Sequence, residues 1–340
     1  MFACESPITL KSGLVVPCGK CLLCLSKRRD EWSTRLQLHS FGYYHMPLFC
    51  GLTYDPDNLR YGETGATLCK KDLQLFVKRL KDRYNLYNTK FSFFACGEYG
   101  DLYGKPHYHI LLFGFDELFE LYQNDWLKAH QKLREVWQLG NVDIGIAKWS
   151  GIHYVTKYVL KIFDDGFDGV EKPFLLASNH IGLNWLDTQE AKYLRRVLSK
   201  VFKDQSGRPL PQLDLSGDYE NLVSSARDAL QELKAIFPKL VVHTPQGIER
   251  PMPRYIRDHF IGHFEHFTDN PYWYIDFYQK IVDGYDYAMT HLERDDETGV
   301  SHDDQVKEAL IRKIRQRLYL HSKQFKNESF RYGTNQKACL

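Results

Sequence analysis

The sequence predicts an α+β fold, an antiparallel sheet flanked by helices, on three observations. Between residues 45 and 165, stretches of strand and helix character follow in the order strand–helix–strand–strand–helix–strand–helix. Two of those strands are separated only by a short Gly-containing segment, as in a hairpin, which imposes antiparallel pairing. Beyond residue 165 the periodicity becomes mostly helical. The 340 residues therefore divide into a Cys-rich N-terminal segment and helix (1–44), a mixed domain (45–165) and a mostly helical C-terminal region (166–340).

Each element has a local reason. Residues 26–40 set Trp32, Leu36 and Leu38 among Lys27, Arg28, Arg29 and Arg35, a helical pattern. Residues 47–54 read as a strand ending in the Asp55-Pro56-Asp57-Asn58 turn. Lys71–Tyr84 places Leu73, Phe76, Val77 and Leu80 on one helical face. Residues 91–96 and 107–115 are the two hairpin strands. A helix over 126–139, a strand over 141–146 and a helix over 151–163 complete the mixed domain. Further helices are expected over 188–202, 218–237, 271–283 and 303–323, with a polar Gly/Pro link at 204–217.

Composition narrows the function classes. Lys and Arg number 45 against 43 Asp and Glu, a formal charge of +2, which excludes a histone-like polycation but not a nucleic-acid enzyme with local basic surfaces. Two basic runs stand out, Lys70–Arg83 and Lys307–Lys326, each readable as a solvated helix face or a phosphate track. No apolar run approaches the ~18 residues of a membrane span, so no membrane role is expected. The first residues lack a basic segment followed by an apolar one, so no secretory signal is expected and the thiols should be reduced. Four of eight cysteines crowd the start, Cys4, Cys18, Cys21 and Cys24. The run Pro17-Cys18-Gly19-Lys20-Cys21 continuing to Cys24 has metal-knuckle spacing, with Cys4 as a fourth ligand for tetrahedral zinc. A ferredoxin-type cluster would want another cysteine where Arg28 stands. The bland alternative is a set of small buried residues entering a helix.

Two motifs carry chemistry. In a strand His107 and His109 share one face, and a hairpin returns Glu98 beside them. Two imidazoles and a carboxylate suit a divalent ion such as Mg or Mn. The second motif is a doubled Tyr-x-x-Lys, with Tyr154, Lys157, Tyr158 and Lys161 on one helical face. A phenol beside an ammonium is a candidate nucleophile, because positive charge favours the phenolate. Either motif alone reads equally well as an ordinary surface strand or a helix with snorkelling lysines.

The chain resembles the replication initiators of small single-stranded DNA phages, the microviruses and especially the gokushovirus group. The resemblance runs through Pro17–Cys21, Leu52–Pro56, the Glu98/His107/His109 block, the double-Tyr helix, Ser178–Gly182 and Arg250–Arg254. These phage proteins are HUH endonucleases, named for a His-hydrophobic-His motif; Tyr108 at the middle position is amphipathic rather than aliphatic. The resemblance implies an HUH-type antiparallel sheet and a divalent metal on His107, His109 and Glu98. Tyr154 and Tyr158 become nucleophiles that form a 5′-phosphotyrosine, and Lys157 and Lys161 stabilise charge. It further implies rolling-circle initiation on origin and single-stranded DNA in the cytoplasm of a bacterial host, with that host's helicase and polymerase as partners. Two other expectations fit the same motifs, a plasmid mobilisation relaxase and a non-catalytic DNA-binding module.

Overall fold

Alternating apolar residues and period-3.6 stripes resolve into nine helices and nine short strands among the described residues of a computed structural model. Those residues are 4–10, 15–100, 103–158, 166–205, 208, 210–215, 219–262, 270–292 and 314. The chain opens with β1 (Ile8–Thr9), β2 (Val15–Val16), α1 (Leu22–His39) and β3 (Leu48–Thr53). It continues through α2 (Lys70–Tyr84), β4 (Ser92–Tyr99), β5 (Pro106–Phe113), α3 (Asp116–Asn124), α4 (Trp126–Trp137), β6 (Val142–Ile146) and α5 (Trp149–Thr156). Then come β7 (Phe174–Ala177), α6 (Gln189–Asp204), α7 (Tyr219–Ile236), β8 (Val241–His243), β9 (Glu249–Pro251), α8 (Arg254–Ile261) and α9 (Pro271–Leu292). The α+β class with an antiparallel sheet, a helical C-terminal region and a cysteine cluster at the start is as the sequence predicts.

The chain divides into two compact units. One comprises Met1–Cys24, Lys192–Val241 and Arg257–Leu340, the other Leu25–Ala191 and Val242–Ile256. In the first, α7 packs along α9, and Tyr272 and Tyr278 donate their hydroxyls to the carbonyls of Pro238 and Pro211. The second is built on a five-stranded sheet of order β6-β3-β5-β4-β7, antiparallel throughout. Its two faces are separated by strand alternation. Tyr108, Ile110 and Leu112 point back into a core with Leu73, Phe76 and Leu80 of α2 and Leu133, Val136 and Trp137 of α4. Leu111 and Phe113 point forward into a second core with Leu36 of α1 and Ile152, Val155 and Tyr158 from α5 and the residues just after it.

Several boundaries differ from expectation, each for a local reason. Gln138 adopts a left-handed φ of 66° and ends α4 at Trp137. Asp125 caps the same helix by accepting the Lys128 N–H at 3.0 Å. The helix α3 has no counterpart among the expected elements, since it follows β5 after two residues and is only nine residues long. Edge strand β7 has none either, because all four of its residues are half-buried and no alternation marks it. The helix expected over 151–163 is described as Trp149–Thr156, with Lys157 and Tyr158 in a tighter turn. The helix expected over 303–323, with its basic run Lys307–Lys326, lies outside the described residues apart from the buried Ile314.

The run Lys70–Arg83 belongs to α2, on the back of the sheet. Its Arg79 donates to the carbonyls of Val136 and Trp137 at 2.8 and 2.9 Å, and Arg83 pairs with Glu135. Those two cations hold α2 against α4.

Two buried polar networks fasten the helices to the sheet. Tyr108 is fully buried; its hydroxyl accepts the Cys69 N–H at 2.8 Å and lies 2.7 Å from the Tyr54 hydroxyl, which donates to Asp72 at 2.9 Å. Arg60 completes the set by donating to Asp72 at 2.8 Å. This explains an amphipathic residue between two histidines: the phenol end ties β5 to the start of α2. On the front, Gly182, at a left-handed φ of 95°, donates its N–H to His39 Nδ1 at 3.2 Å. His39 Nδ1 must then carry a lone pair, so the ring is neutral with its proton on Nε2, which faces Ser92 Oγ at 2.7 Å and Tyr43 Oη at 3.1 Å.

Two outcomes are expected. Tyr108→Phe leaves the Cys69 N–H without its acceptor and should cost roughly 1–3 kcal/mol of unfolding free energy in urea. Burial pushes His39 from 6.5 down to about 4, because protonation would also set N–H against the Gly182 N–H. A lowered folded value means the stabilisation is complete above pH 6.5 and lost as pH falls toward 4, approaching roughly 3 kcal/mol. In His39→Gln the difference from wild type should therefore shrink on acidification; a constant difference across that range would contradict the assignment.

Candidate active site and cysteine cluster

The site starts from hairpin register. Glu98 on β4 pairs directly with His107 on β5, and Cys96 with His109, so all four side chains share the forward face. Gly100 accepts the return of the chain, donating to the Lys105 carbonyl at 3.0 Å, while Gly104 takes a left-handed φ of 59°. Glu98 is 3% exposed, and its Oε1 lies 2.9 Å from Nε2 of both His107 and His109. The predicted trio is thus brought together, with one ligand atom from each lying within 4.8 Å of the others.

The protons in this trio are constrained. His107 Nδ1 lies 3.0 Å from the Lys105 carbonyl, which can only accept, so Nδ1 carries the proton. In a neutral ring Nε2 then turns a lone pair on the carboxylate. Burial holds His109 below its usual value against the opposing pull of Glu98, so that ring also favours neutrality. Two neutral imidazoles facing one carboxylate oxygen are a donor set that a divalent cation satisfies, and the Lys105 carbonyl is the outer partner that fixes a ligand's tautomer. The residues present fit a metal ion.

Aromatic rings hold the histidine plane. His109 is stacked between Phe49, at a centroid distance of 5.5 Å, and Tyr158, at 4.5 Å with only 9° between planes. Tyr154 meets Tyr158 edge-on at 5.4 Å and His109 edge-on at 6.2 Å. Lys157 Nζ sits over the Tyr154 ring at 4.3 Å and the Tyr158 ring at 5.1 Å. Tyr154, Lys157 and Tyr158 therefore converge on the histidines; Lys161 lies outside the described residues. One expectation needs correcting. The lysine does not lower the Tyr158 phenol, which burial and a hydrogen bond with Tyr154 push well above the ordinary value. The ammonium lies over the ring faces, where it attracts π density, and the ring is only 3% exposed. Phe49 is not singled out by the sequence, because its place beside His109 depends on β3–β5 register.

In the unit containing the N-terminus, Cys4, Cys18, Cys21 and Cys24 also converge, their sulfurs all within 4.8 Å of one another. Gly19 takes a left-handed φ of 75°, and the turn it makes aims the N–H groups of Lys20 and Cys21 at Cys18 Sγ, at 3.3 and 3.1 Å. The Cys18 N–H donates to Cys4 Sγ at 3.3 Å. Backbone amides at Cys24 and Glu5 lower Cys21 to about 6, whereas burial raises Cys24 to about 12. Four sulfurs with amide donors aimed at them suit a tetrahedral thiolate-bound ion.

Residues 47–163 match the family model of the ORF2-type replication-associated proteins. The chain is 33% identical over 200 residues to replication-associated protein ORF4 of Chlamydia phage 1, covering 54% of this chain and 48% of that protein. It is 27% identical to replication-associated protein VP4 of Bdellovibrio phage phiMH2K, covering 58% and 65%, and 27% identical to replication-associated protein ORF2 of Spiroplasma virus 4, covering 43% and 48%. The matches thus span between about half and two thirds of these curated relatives. No solved structure matches the chain. The matched segment holds β3 to β6, α5, the Glu98/His107/His109 trio and both tyrosines, and through it the chain belongs with the ORF2-type replication-associated proteins of small phages.

Proposed function

We propose that the chain is a rolling-circle replication initiator, a metal-dependent endonuclease and ligase acting on single-stranded DNA at an origin. The observation that carries this reading is the convergence of two phenols and one ammonium on a buried Glu–His–His trio. A divalent cation, Mg or Mn, held by Glu98, His107 and His109 would polarise the scissile phosphate. A tyrosine oxygen attacks the phosphorus, a 5′-phosphotyrosine forms, and the 3′-oxygen leaves and is protonated to the 3′-OH that primes synthesis. Lys157 supplies positive charge where the phosphorane develops negative charge. After one round, attack by a released 3′-OH on the phosphotyrosine closes a circle. Lys161 takes the same role as Lys157 in this reading, and host helicase and polymerase supply unwinding and synthesis in the bacterial cytoplasm. No helix among the described residues is long and apolar enough to cross a membrane.

The cysteine cluster is read as a structural zinc site that pins the segment before β1 to the first turn of α1, where Cys24 lies.

Two experiments test these readings. Incubated with Mn and single-stranded oligonucleotides tiling the replicon that encodes it, the protein should become covalently attached to a 5′-phosphate. His107→Ala with His109→Ala should lower attachment by more than the ~10–100-fold that loss of an outer-shell partner costs. Bound but uncut oligonucleotide would instead favour a DNA-binding module, and cutting confined to a transfer origin would favour a relaxase. Purified protein should carry about one zinc per chain by elemental analysis, lost in Cys18→Ser with Cys21→Ser together with a lowered melting temperature; zinc-free protein of unchanged stability retires the cluster as a metal site.

A further inference from the structure

We propose that the two tyrosines are ranked by the fold: Tyr154 makes the first cut, and Tyr158, which at rest holds His109 in plane, makes the second. This inference rests on the endonuclease reading above. Tyr154 is 45% exposed and Tyr158 only 3%. The Tyr158 ring lies flat on His109 at 4.5 Å, with Phe49 on the opposite side of the imidazole, so both faces of the histidine are covered. Tyr154 touches these rings only by an edge, leaving its own outer face to solvent and to Lys157, whose Nζ is nearer to it than to Tyr158. A phosphodiester arriving from solvent therefore meets Tyr154 Oη without any ring having to move. For Tyr158 to reach phosphorus it must first leave the His109 face.

The chemistry gives each position its turn. In the first step the Tyr154 Oη–phosphorus bond forms, the phosphorus–O3′ bond breaks, the 3′-oxygen departs with its electron pair and takes a proton, and the phenolic proton passes to solvent. Tyr154 is then esterified and spent. The second cut repeats these bond changes at Tyr158, and the newly released 3′-OH attacks the Tyr154 phosphotyrosine. That closes the phosphorus–O3′ bond and returns the hydroxyl proton to the Tyr154 oxygen. A ring that packs a metal ligand at rest and moves only once DNA is attached confines the second cut to a loaded protein.

The ranking is read by mapping the adduct. Wild-type protein is mixed with Mn and the tiled single-stranded oligonucleotides, quenched within one turnover and digested, and the phosphotyrosine peptide is sequenced by mass spectrometry. Label on Tyr154 should exceed label on Tyr158 roughly tenfold or more, a barrier difference of at least about 1.4 kcal/mol. Tyr154→Phe should lose the first-turnover adduct, and Tyr158→Phe should lose circle closure. Equal labelling, label first on Tyr158, or undiminished first-turnover adduct in Tyr154→Phe overturns the ranking while leaving the endonuclease reading in place. Wild-type protein that forms no adduct at all removes both.

Discussion

Everything at the site depends on the register of one hairpin. Because Glu98 sits opposite His107, the carboxylate and both imidazoles fall on the same face of adjacent strands and need no loop to gather them. A slip of one residue would turn His107 and His109 into the back core and bring Tyr108 forward, exchanging a polar trio for a phenol. Two features resist that slip. The Tyr108 hydroxyl is held at the back by the Cys69 backbone and by Tyr54, and the Gly100–Lys105 hydrogen bond fixes the turn at the front. The amphipathic residue between the histidines therefore serves the site although it never faces it.

That division into faces also decides where charge can act. The strongest basic run among the described residues, Lys70–Arg83, covers the back, while the trio and the tyrosines open on the front. Arg79 and Arg83 are committed to α4. On the front, Lys157 is the cation in contact with the reacting groups, and α1, which packs there through Leu36, carries exposed Lys27 and Arg28. A chain of nearly balanced charge can then perform phosphate chemistry, because the relevant quantity is the charge within a few ångströms of the phosphorus.

How much of this was legible in the sequence follows from the range of each interaction. The cysteine cluster and the His-x-His pair were readable because their geometry is set within a few residues, by a knuckle turn and by strand alternation. The convergence of Glu98 was readable because a hairpin closes over so short a segment. The helices over 71–84 and 126–139 announced themselves by period, but β7 and α8 are short and lack a clean stripe, so nothing local distinguished them. Phe49 reaches His109 only through β3–β5 pairing across more than fifty residues, which no spacing rule supplies. The inequality of the tyrosines was likewise hidden: helical period places Tyr154 and Tyr158 on one face, and only packing against His109 buries one and leaves the other wet.

The trio itself is an unfavourable arrangement for stability alone. A carboxylate 3% exposed facing two neutral imidazoles loses hydration and gains little in return unless a proton or a cation lies among the three. The surrounding structure shows where that cost is carried. His109 is clamped between two aromatic rings, His107 is tied to a backbone carbonyl, and the strand that bears them is anchored from behind by the Tyr108 network. None of those contacts improves the electrostatics of the trio; each one prevents it from relaxing. An arrangement held in an unrelaxed geometry by neighbours on every side is what a pre-organised ligand set requires. The same clamp makes the tyrosines unequal, since the ring that steadies the histidine is, by that contact, kept from the phosphate.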